Sequence, residues 1–385
     1  MLKILHREGK YPSGAVEGEW PIRKYFEETN SSLAGLFSHG EEWKRLRSFL
    51  QTDLLSPVAA KAHVPGMLKA AKCASQGATT HNDNLTMKEY LSRCSFDLFS
   101  SVMFGELTLS AKNPGSDNTS SSSDSGTLCK STFQLTDDLF SMMISPFELI
   151  LSKIGIESAR YKSLYANTRA SEEMAMKKIE AFKERKLQGT LNEFEKASYF
   201  ARAMDRQLGS DITEKEMKEL STVLIIAAVD TTSSSLHWIL VQLALNQDVQ
   251  QKLYSMLKSA VAKNGGNLSV DLLSKKAIPY LHAIIRETHR LTPAIPISIV
   301  KSNSSEVEIH GEKLAPGCMF VFNSQALGLD PNIVPNPDKF DPTRWSDDAV
   351  KERKGTKSEV IDHPLLRDPF SHGKSLFITS CSTIT

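Results

Sequence analysis

TEKEMKELSTVLIIAAVDTTSSSLHWILVQLAL, residues 213–245, contains neither proline nor glycine and is the longest helical pattern in the chain. It predicts a single helix of about 50 Å at about 1.5 Å per residue. Thr213 and Glu216 predict its start, because a threonine hydroxyl and a glutamate carboxylate three residues later can cap each other's backbone amides. A helix of this length would cross a whole domain.

Six consecutive polar residues, Asp230 to Ser235, interrupt the apolar pattern of this helix. Hydroxyl side chains compete for backbone hydrogen bonds, so the run predicts a bend or groove where a ligand and water could sit. Asp230 and Thr231 place an acid beside an alcohol, a pair that can relay protons. The alternative interpretation is a loop between two shorter helices.

The rest of the chain predicts a mainly α protein with a small β-sheet region, without internal repeats. Helical spacing predicts helices that begin soon after Gly40 and that cover Met87 to Phe104, Phe133 to Phe147, Ala159 to Lys186, Asp248 to Ala262 and Tyr280 to Leu291. The residues before Gly40 are predicted to be irregular. A hairpin is predicted from Glu306–His310 and Cys318–Phe322, followed by an extended tail from Leu329 to Trp345. Residues 110–126 are serine-rich and predict a low-complexity surface insertion within a single domain, 1–385.

Composition excludes several classes of protein. The 385 residues carry 46 basic and 45 acidic side chains, a balance that gives no electrostatic footprint for nucleic acid. The five cysteines are scattered, which favours neither a zinc site nor a disulfide scaffold and fits a reducing compartment. The longest apolar run, Val223 to Val229, is far shorter than the roughly 20 residues that cross a bilayer. No anchor or targeting segment is visible in this sequence.

Two residue pairs predict only ordinary surface features when they are considered alone. Glu287 and Arg290 lie three residues apart on a predicted helix and can form an ion pair, although most such pairs are solvated. Trp43 and Arg47 lie one helical turn apart, and alone they predict only an amphipathic helix.

The order of these features, with three later motifs, resembles the haem-thiolate monooxygenases, the cytochrome P450 family. The motifs are ETHR (287–290), PDKFDPTRW (337–345) and PFSHG (369–373), and the resemblance runs from about Gly9 to Lys374. EGKYP (8–12) and GEEWKRLR (40–47) are most similar to the mitochondrial branch, whose members hydroxylate sterols and related lipids. The implied fold is therefore that of a cytochrome P450. By the same resemblance we expect this fold to be incomplete, without the family's N-terminal strands and without the proximal loop and helix that hold the haem ligand.

The resemblance implies roles for individual residues. Glu287, Arg290 and Arg344 would form a buried charge network, and Asp230 and Thr231 would deliver protons to dioxygen. The implied haem contacts are Trp43, Arg47, Lys301, Phe370 and Gly373. The implied substrate pocket contains Ala227, Ala228, Pro296, Ile297 and Val300, with Ala228 standing where the family often has glycine.

The resemblance also implies partners and a location. The cofactor would be haem, and one oxygen atom would enter a lipophilic, sterol-like small molecule. An acidic ferredoxin would supply electrons and dock near Arg286, while His282 stands where the family has a second basic residue and Lys275 and Lys276 lie nearby. The implied location is the matrix side of the mitochondrial inner membrane.

The sequence departs from the family where the haem ligand is expected. Ser375 and Phe377 stand at the positions of the family's arginine and cysteine, and residues 375–385 form a tail unlike the family. Phenylalanine has no lone pair to offer iron. Neither Cys381 nor His372 occupies the ligand position, so we expect this polypeptide not to incorporate haem stably. The alternative function is a non-catalytic helical protein that keeps only a lipid-binding or partner-binding surface.

Overall fold

The computed structural model describes residues 20–31, 40–79, 85–112, 123–207, 213–269, 271–294 and 297–363. These residues are mostly helical and include a small antiparallel sheet region. The fold class predicted from the sequence, mainly α with a small β-sheet region, is confirmed.

The helices of the described residues follow one another along the chain. They are α1 (Trp20–Glu28), α2 (Gly40–Leu50), α3 (Pro57–Thr79), α4 (Met87–Met103), α5 (Ser123–Met143), α6 (Pro146–Lys153), α7 (Ala159–Leu187), α8 (Glu193–Ala197), α9 (Tyr199–Gln207), α10 (Glu214–Leu245), α11 (Gln247–Lys263), α12 (Pro279–Leu291), α13 (Ser324–Gly328) and α14 (Asp347–Glu352). A π-helical segment, Gln51–Leu55, continues α2, and short 3₁₀ helices cover Pro342–Trp345 and Lys357–Asp362.

The chain divides into two compact units, with the boundary between Ser233 and Ser234 inside α10. We call the described residues up to Ser233 the N-terminal unit and those from Ser234 onward the C-terminal unit. The proposed single domain, 1–385, stays a prediction.

The core of the N-terminal unit joins α1, α5, α7 and α10. Ile22, Tyr25 and Phe26 of α1 are buried in it at the i, i+3 and i+4 spacing of a helix. The prediction of irregular structure up to Gly40 is therefore wrong for residues 20–28. The signal was present in the apolar spacing, but it was masked by the surrounding charge, proline and glycine.

Two boundaries in this unit also differ from prediction. The helix expected over Phe133–Phe147 is two helices: α5 ends at Met143, and Ser145 caps α6 while Pro146 takes the first turn. Residues 123–126 of the insertion expected over 110–126 belong to α5, which begins at Ser123. Residues 113–122 lie outside the described residues, and the insertion stays a prediction. Ser110 and Ala111 are buried, and their backbone amides donate to the Asp97 carboxylate at 2.9 and 3.0 Å.

The long helix α10 is uninterrupted from Glu214 to Leu245, so the alternative of a loop at Asp230–Ser235 is wrong. Thr213 and Glu216 form the predicted capping box, with Thr213 N donating to Glu216 Oε2 at 2.7 Å and Glu216 N to Thr213 Oγ1 at 3.2 Å. Among the described helices, α10 is long and apolar enough to cross a membrane. Much of its N-terminal half is buried, as in a core helix.

The C-terminal unit packs α11 and α12 together through Val249, Leu253, Ile284 and Phe340. Its strands are β1 (Ile297–Ser302), β2 (Val307–Ile309), β3 (Glu312–Leu314) and β4 (Met319–Asn323). β2 pairs with β3, and β4 pairs with β1, both antiparallel. The predicted hairpin paired the strand now called β2 with β4, whereas β2 pairs with β3. The turn at His310-Gly311 is tight enough to return the chain immediately after β2.

Candidate functional site

Asp230 lies in the middle of α10 and is half-buried. Burial raises the pKa of its carboxyl above the ordinary value, while the charge of Lys88 opposes this and that of Asp137 adds to it. Lys88 and Asp137 are exposed, and Lys88 Nζ lies 3.9 Å from Asp137 Oδ1. Asp230 therefore holds a proton more readily than an exposed aspartate does.

The neighbouring hydroxyls are accommodated within the helix. Thr231 Oγ1 donates to the carbonyl of Ala227 at 2.7 Å, and Ser233 Oγ donates to the carbonyl of Asp230 at 3.0 Å. These bonds return to the preceding turn, which explains why a run of hydroxyl residues does not end the helix. Ala227 and Ala228 are half-buried one turn before Thr231.

Arg47 in α2 carries a buried guanidinium nitrogen that no described residue satisfies. Its Nη1 has no hydrogen-bond partner among the described residues, and burial lowers the pKa of the side chain. Arg45, two residues earlier, is paired with Glu216 of α10. A buried donor without an acceptor is costly, so the surroundings of Arg47 Nη1 favour an anionic ligand. Trp43 lies one turn before Arg47 in the same helix.

The C-terminal unit contains a buried cluster of charges around Glu287 of α12. Glu287 is fully buried, and Arg290 donates to it from Nε at 3.0 Å and from Nη2 at 2.8 Å. Arg344 donates to the same carboxylate from Nε at 3.2 Å. The structure thus brings Glu287, Arg290 and Arg344 together, and the alternative of a solvated Glu287–Arg290 pair is wrong.

Two further groups donate hydrogen bonds to the Glu287 carboxylate. The backbone amide of Asp341 and Nε1 of Trp345 each donate to its carboxylate at 2.9 Å. Arg290 also donates to the carbonyls of Gly328 at 2.8 Å and Pro337 at 2.6 Å. The cluster therefore fastens the segment that ends in the PDKFDPTRW motif to α12.

Trp345 is a member of this cluster to which the sequence pattern assigned no role. Two guanidinium groups lie over its ring, with Arg286 Cζ 5.7 Å and Arg353 Cζ 5.5 Å from the ring centroid. Arg353 in turn pairs with Asp362 at 2.5 Å. The motif pointed to Trp345, but the nine-residue separation of Arg353 and Asp362 matches no local pattern that would have predicted their pairing.

The predicted docking residues differ in their surroundings. Lys275 and Lys276 are exposed. Arg286 is half-buried against Trp345. His282 is buried, and its Nε2 lies 3.0 Å from the carbonyl oxygen of Leu273, so it is not part of an exposed basic surface.

Several predicted site residues lie in strand β1 or outside the described residues. Ile297, Val300 and Lys301 pair with Asn323, Val321 and Phe320 of β4. The positions outside the described residues are Pro296, Phe370, His372, Gly373, Ser375, Phe377 and Cys381. Within the described ranges, the four cysteines are free and no cluster of His, Cys, Asp or Glu could hold a metal ion.

Comparison with known proteins gives a consistent result. The sequence model described as Cytochrome P450 matches residues 1–374. The chain is 26% identical to the mitochondrial 1,25-dihydroxyvitamin D(3) 24-hydroxylase of Mus musculus, over 98% of this chain and 68% of that protein. It is 31% identical to the ferruginol synthase of Isodon rubescens, over 43% of this chain and 31% of that protein. It is 33% identical to a flavonoid 3',5'-hydroxylase of Crocosmia x crocosmiiflora, over 44% and 31% respectively. The chain thus spans about a third of the plant relatives and about two thirds of the mouse relative.

Proposed function

The chain belongs to the cytochrome P450 family, and on that premise we propose haem-dependent monooxygenation as the reaction to which its fold is suited, although residue 377 is not the cysteine that this reaction requires. One oxygen atom of O₂ would be inserted into a lipophilic small molecule. A sterol-like substrate is supported by the name of the mouse relative, a hydroxylase of 1,25-dihydroxyvitamin D(3), which matches nearly the whole chain.

The observation that carries this proposal is the buried Nη1 atom of Arg47, which lacks a hydrogen-bond partner among the described residues. A haem propionate fits this atom, because a carboxylate would supply the missing acceptor and a counter-charge for the half-buried guanidinium. Trp43 precedes it by one turn, and we propose that its indole N–H binds the same propionate. Lys301, Phe370 and Gly373 are further proposed contacts.

Asp230 and Thr231 are the proposed proton-delivering pair. When bound, haem supplies the iron that activates dioxygen. Because burial raises the pKa of the Asp230 carboxyl, it holds a proton more readily than an exposed aspartate does. Thr231 follows it directly in α10, and its hydroxyl can exchange the bond to Ala227 for one to a water or substrate. Ala227, Ala228, Pro296, Ile297 and Val300 are the proposed pocket.

The residues present fit only part of a haem site. Ser375 and Phe377 stand where the family pattern has arginine and the thiolate-supplying cysteine, and the family match ends at residue 374. A phenylalanine ring cannot ligate iron. We therefore propose that this polypeptide does not form the thiolate-ligated centre. This substitution favours the second candidate, a non-catalytic protein that uses the fold only for binding a lipid or a partner.

The proposed electron donor is a ferredoxin, bound through the exposed Lys275 and Lys276 and through Arg286. Arg286 is half-buried against Trp345, and His282 is buried. Among these four proposed docking residues, Lys275 and Lys276 are therefore the exposed ones. The proposed location is the matrix side of the mitochondrial inner membrane, which the name of the mouse relative supports.

The test restores the missing residues by the double substitution Ser375→Arg/Phe377→Cys. Supplied with haem, a reduced ferredoxin, a sterol and isotopically labelled dioxygen, the restored chain should release a product with one labelled oxygen atom. Asp230→Asn in the restored chain should slow product formation by about 100-fold, the scale of general acid catalysis. The unsubstituted chain should form none. A restored chain that binds haem through the new thiolate yet labels no product would refute the monooxygenase proposal, and one that binds no haem would favour the second candidate.

A further inference from the structure

Helix α9 (Tyr199–Gln207) carries a polar face within the N-terminal unit that the proposed function does not use. Tyr199, Arg202 and Arg206 lie at i, i+3 and i+7, the spacing that aligns side chains on one face of a helix. Asp53 of the π-helical segment and His63 of α3 meet this face, and both are buried. π-helical segments often occur at functional sites. Side chains of three elements thus come together, and we call these five residues the α9 cluster.

Both guanidinium groups of the α9 cluster have a partner within it. Nη1 of Arg206 donates to Asp53 Oδ2 at 2.6 Å and to the carbonyl of Phe49 at 3.3 Å. Nη2 of Arg202 donates to Nε2 of His63 at 2.7 Å, and since a guanidinium only donates, this imidazole nitrogen accepts. Burial and the charge of Arg202 lower the pKa of His63 to about 4. The imidazole is therefore neutral at neutral pH.

Two donors of the α9 cluster lack an acceptor. The hydroxyl of Tyr199, a fully buried residue, and the buried Nε of Arg202 have no hydrogen-bond partner among the described residues. Burial lowers the pKa of the Arg202 side chain, and the charge of Asp53 offsets this only in part. A buried donor without an acceptor costs free energy. The two donors therefore favour a bound group that accepts hydrogen bonds.

The charge of the α9 cluster favours an anion over water. Arg202 and Arg206 are two cations, whereas Asp53 is the carboxylate among the five residues. An excess of one positive charge matches a monovalent anion. Oxyanions prefer two parallel donors of one arginine fork, but Nη2 of Arg202 and Nη1 of Arg206 are already engaged. One hydroxyl and one N–H instead suit a spherical ion, which accepts from any direction.

We propose that the α9 cluster binds a chloride ion between the hydroxyl of Tyr199 and Nε of Arg202. The ion accepts from both donors and supplies the negative charge that the cluster lacks. Because α9, α3 and the π-helical segment all contribute residues to the cluster, the bound ion stabilises their packing. This inference goes beyond the proposed function, because it requires neither haem nor oxygen chemistry.

Urea unfolding of the full chain at neutral pH tests the proposal. Sodium chloride replaces sodium gluconate at constant ionic strength, so that the general screening of charges stays the same. A ligand that binds only the folded chain raises the unfolding midpoint as its concentration increases. The midpoint should therefore rise with chloride. The chloride NMR signal should also broaden in the presence of the folded chain and sharpen again when urea unfolds it.

Tyr199→Phe removes the hydroxyl and keeps the ring. In gluconate the variant should be at least as stable as the unsubstituted chain, because the lost hydroxyl has no partner among the described residues. Its affinity for chloride should fall by about tenfold or more, the scale of one hydrogen bond to a charged group. The matched control is Tyr161→Phe, since the buried Tyr161 donates to Glu28 at 2.5 Å. This control should lose stability equally in both salts and keep its response to chloride.

Arg202→Gln tests the second donor and should abolish the response to chloride. Arg169→Gln, at an exposed position of α7, should keep that response. Equal midpoints of the unsubstituted chain in chloride and gluconate would overturn the proposal, and water would then be the acceptor for the two donors. A full chloride response in both Tyr199→Phe and Arg202→Gln would also overturn it, because the ion would then bind elsewhere. Failure to bind haem would leave every one of these outcomes unaffected.

Discussion

Glu287 accepts more hydrogen bonds than any other carboxylate described above. It is fully buried, faces two guanidinium groups and also accepts from a backbone amide and an indole N–H. A buried charge network of this kind gains little over an apolar replacement of the whole cluster, but losing one member leaves the remaining charges uncompensated. Its contribution should therefore appear when a single partner is removed.

Glu287→Ala should lower the free energy of unfolding by about 3 to 5 kcal/mol, because Arg290 and Arg344 stay buried without their counter-charge. Urea denaturation followed by circular dichroism measures this. The matched control is Glu306→Ala, whose partner Lys313 lies 3.6 Å away with both side chains exposed. That change should cost no more than about 1 kcal/mol. Equal effects of the two substitutions would contradict the assignment of a buried network.

His63 of α3 gives a pH-dependent prediction for the N-terminal unit. Its pKa is lowered from 6.5 to about 4, first by burial and next by the charge of Arg202, whose Nη2 lies 2.7 Å from the His63 Nε2 atom. Below pH 6.5, His63 binds a proton in the unfolded chain, whereas in the folded chain it stays neutral until the pH approaches 4. The stability contributed by neutral His63 is therefore present above pH 6.5 and lost as the pH falls towards 4.

His63→Gln should make the chain less sensitive to acid. Between about pH 7 and about pH 5, the fall in the free energy of unfolding should be smaller in the variant by about 2 kcal/mol, because the substituted residue takes up no proton. Urea titrations of both proteins at the two pH values provide the comparison. An unchanged fall would show that His63 does not cause the acid sensitivity.

At the scale of elements, the sequence predicted best where one strong local signal had no competitor. The capping box and the absence of proline and glycine set the bounds of α10, and Pro293 helped to set the end of α12. Helix α1 and the pairing of β2 were missed, because short elements depend on tertiary contacts and tight turns more than on periodicity. The charge network was anticipated through the family pattern alone, since spacing by itself favoured a solvated pair.

The candidate site was anticipated unevenly. Asp230 was singled out as an acid beside an alcohol, whereas Arg47 received its role through the family resemblance, because its position one turn after Trp43 alone predicts only an amphipathic helix. Nothing in the sequence indicated that the Arg47 guanidinium would lack a partner among the described residues, because burial and pairing arise from distant segments. For the same reason, the sequence did not indicate that the charges of Lys88 and Asp137 would change the pKa of Asp230.

The close approach of α4 to α8 gives a prediction at this scale. Gly105 follows α4 with φ +70°, and a Cβ there would lie 2.5 Å from the backbone of Glu195 in α8. Gly189 has the same φ of +70°, but a Cβ there meets no atom of the described residues within 4 Å. The two positions therefore share the backbone strain and differ in the space available.

Gly189→Ala should cost about 1 to 2 kcal/mol of unfolding free energy, from the left-handed backbone alone. Gly105→Ala should cost a further 1 to 3 kcal/mol or so, because the backbone of α8 must move away from α4. Thermal and urea unfolding of the two variants give the difference. Similar losses at both positions would contradict the close packing of α4 and α8.

At the scale of the whole molecule, two features can be separated. The Glu287 cluster fastens the PDKFDPTRW segment to α12 within the C-terminal unit, whereas Arg47, Asp230 and Thr231 are the residues proposed for haem binding and proton delivery. Only the second feature depends on haem. The chain can therefore keep the family fold although Phe377 stands where the family has the cysteine ligand.

The central claim is that this chain of the cytochrome P450 family does not form a thiolate-ligated haem centre, because Ser375 and Phe377 stand where the family has arginine and cysteine. The direct measurement is the absorption spectrum of the reduced, carbon monoxide-treated chain, after expression with haem, beside that of Ser375→Arg/Phe377→Cys. The account predicts the red-shifted Soret band of a thiolate-ligated haem in the substituted chain and its absence from the unsubstituted one. Stoichiometric, tightly held haem with that band in the unsubstituted chain would contradict it.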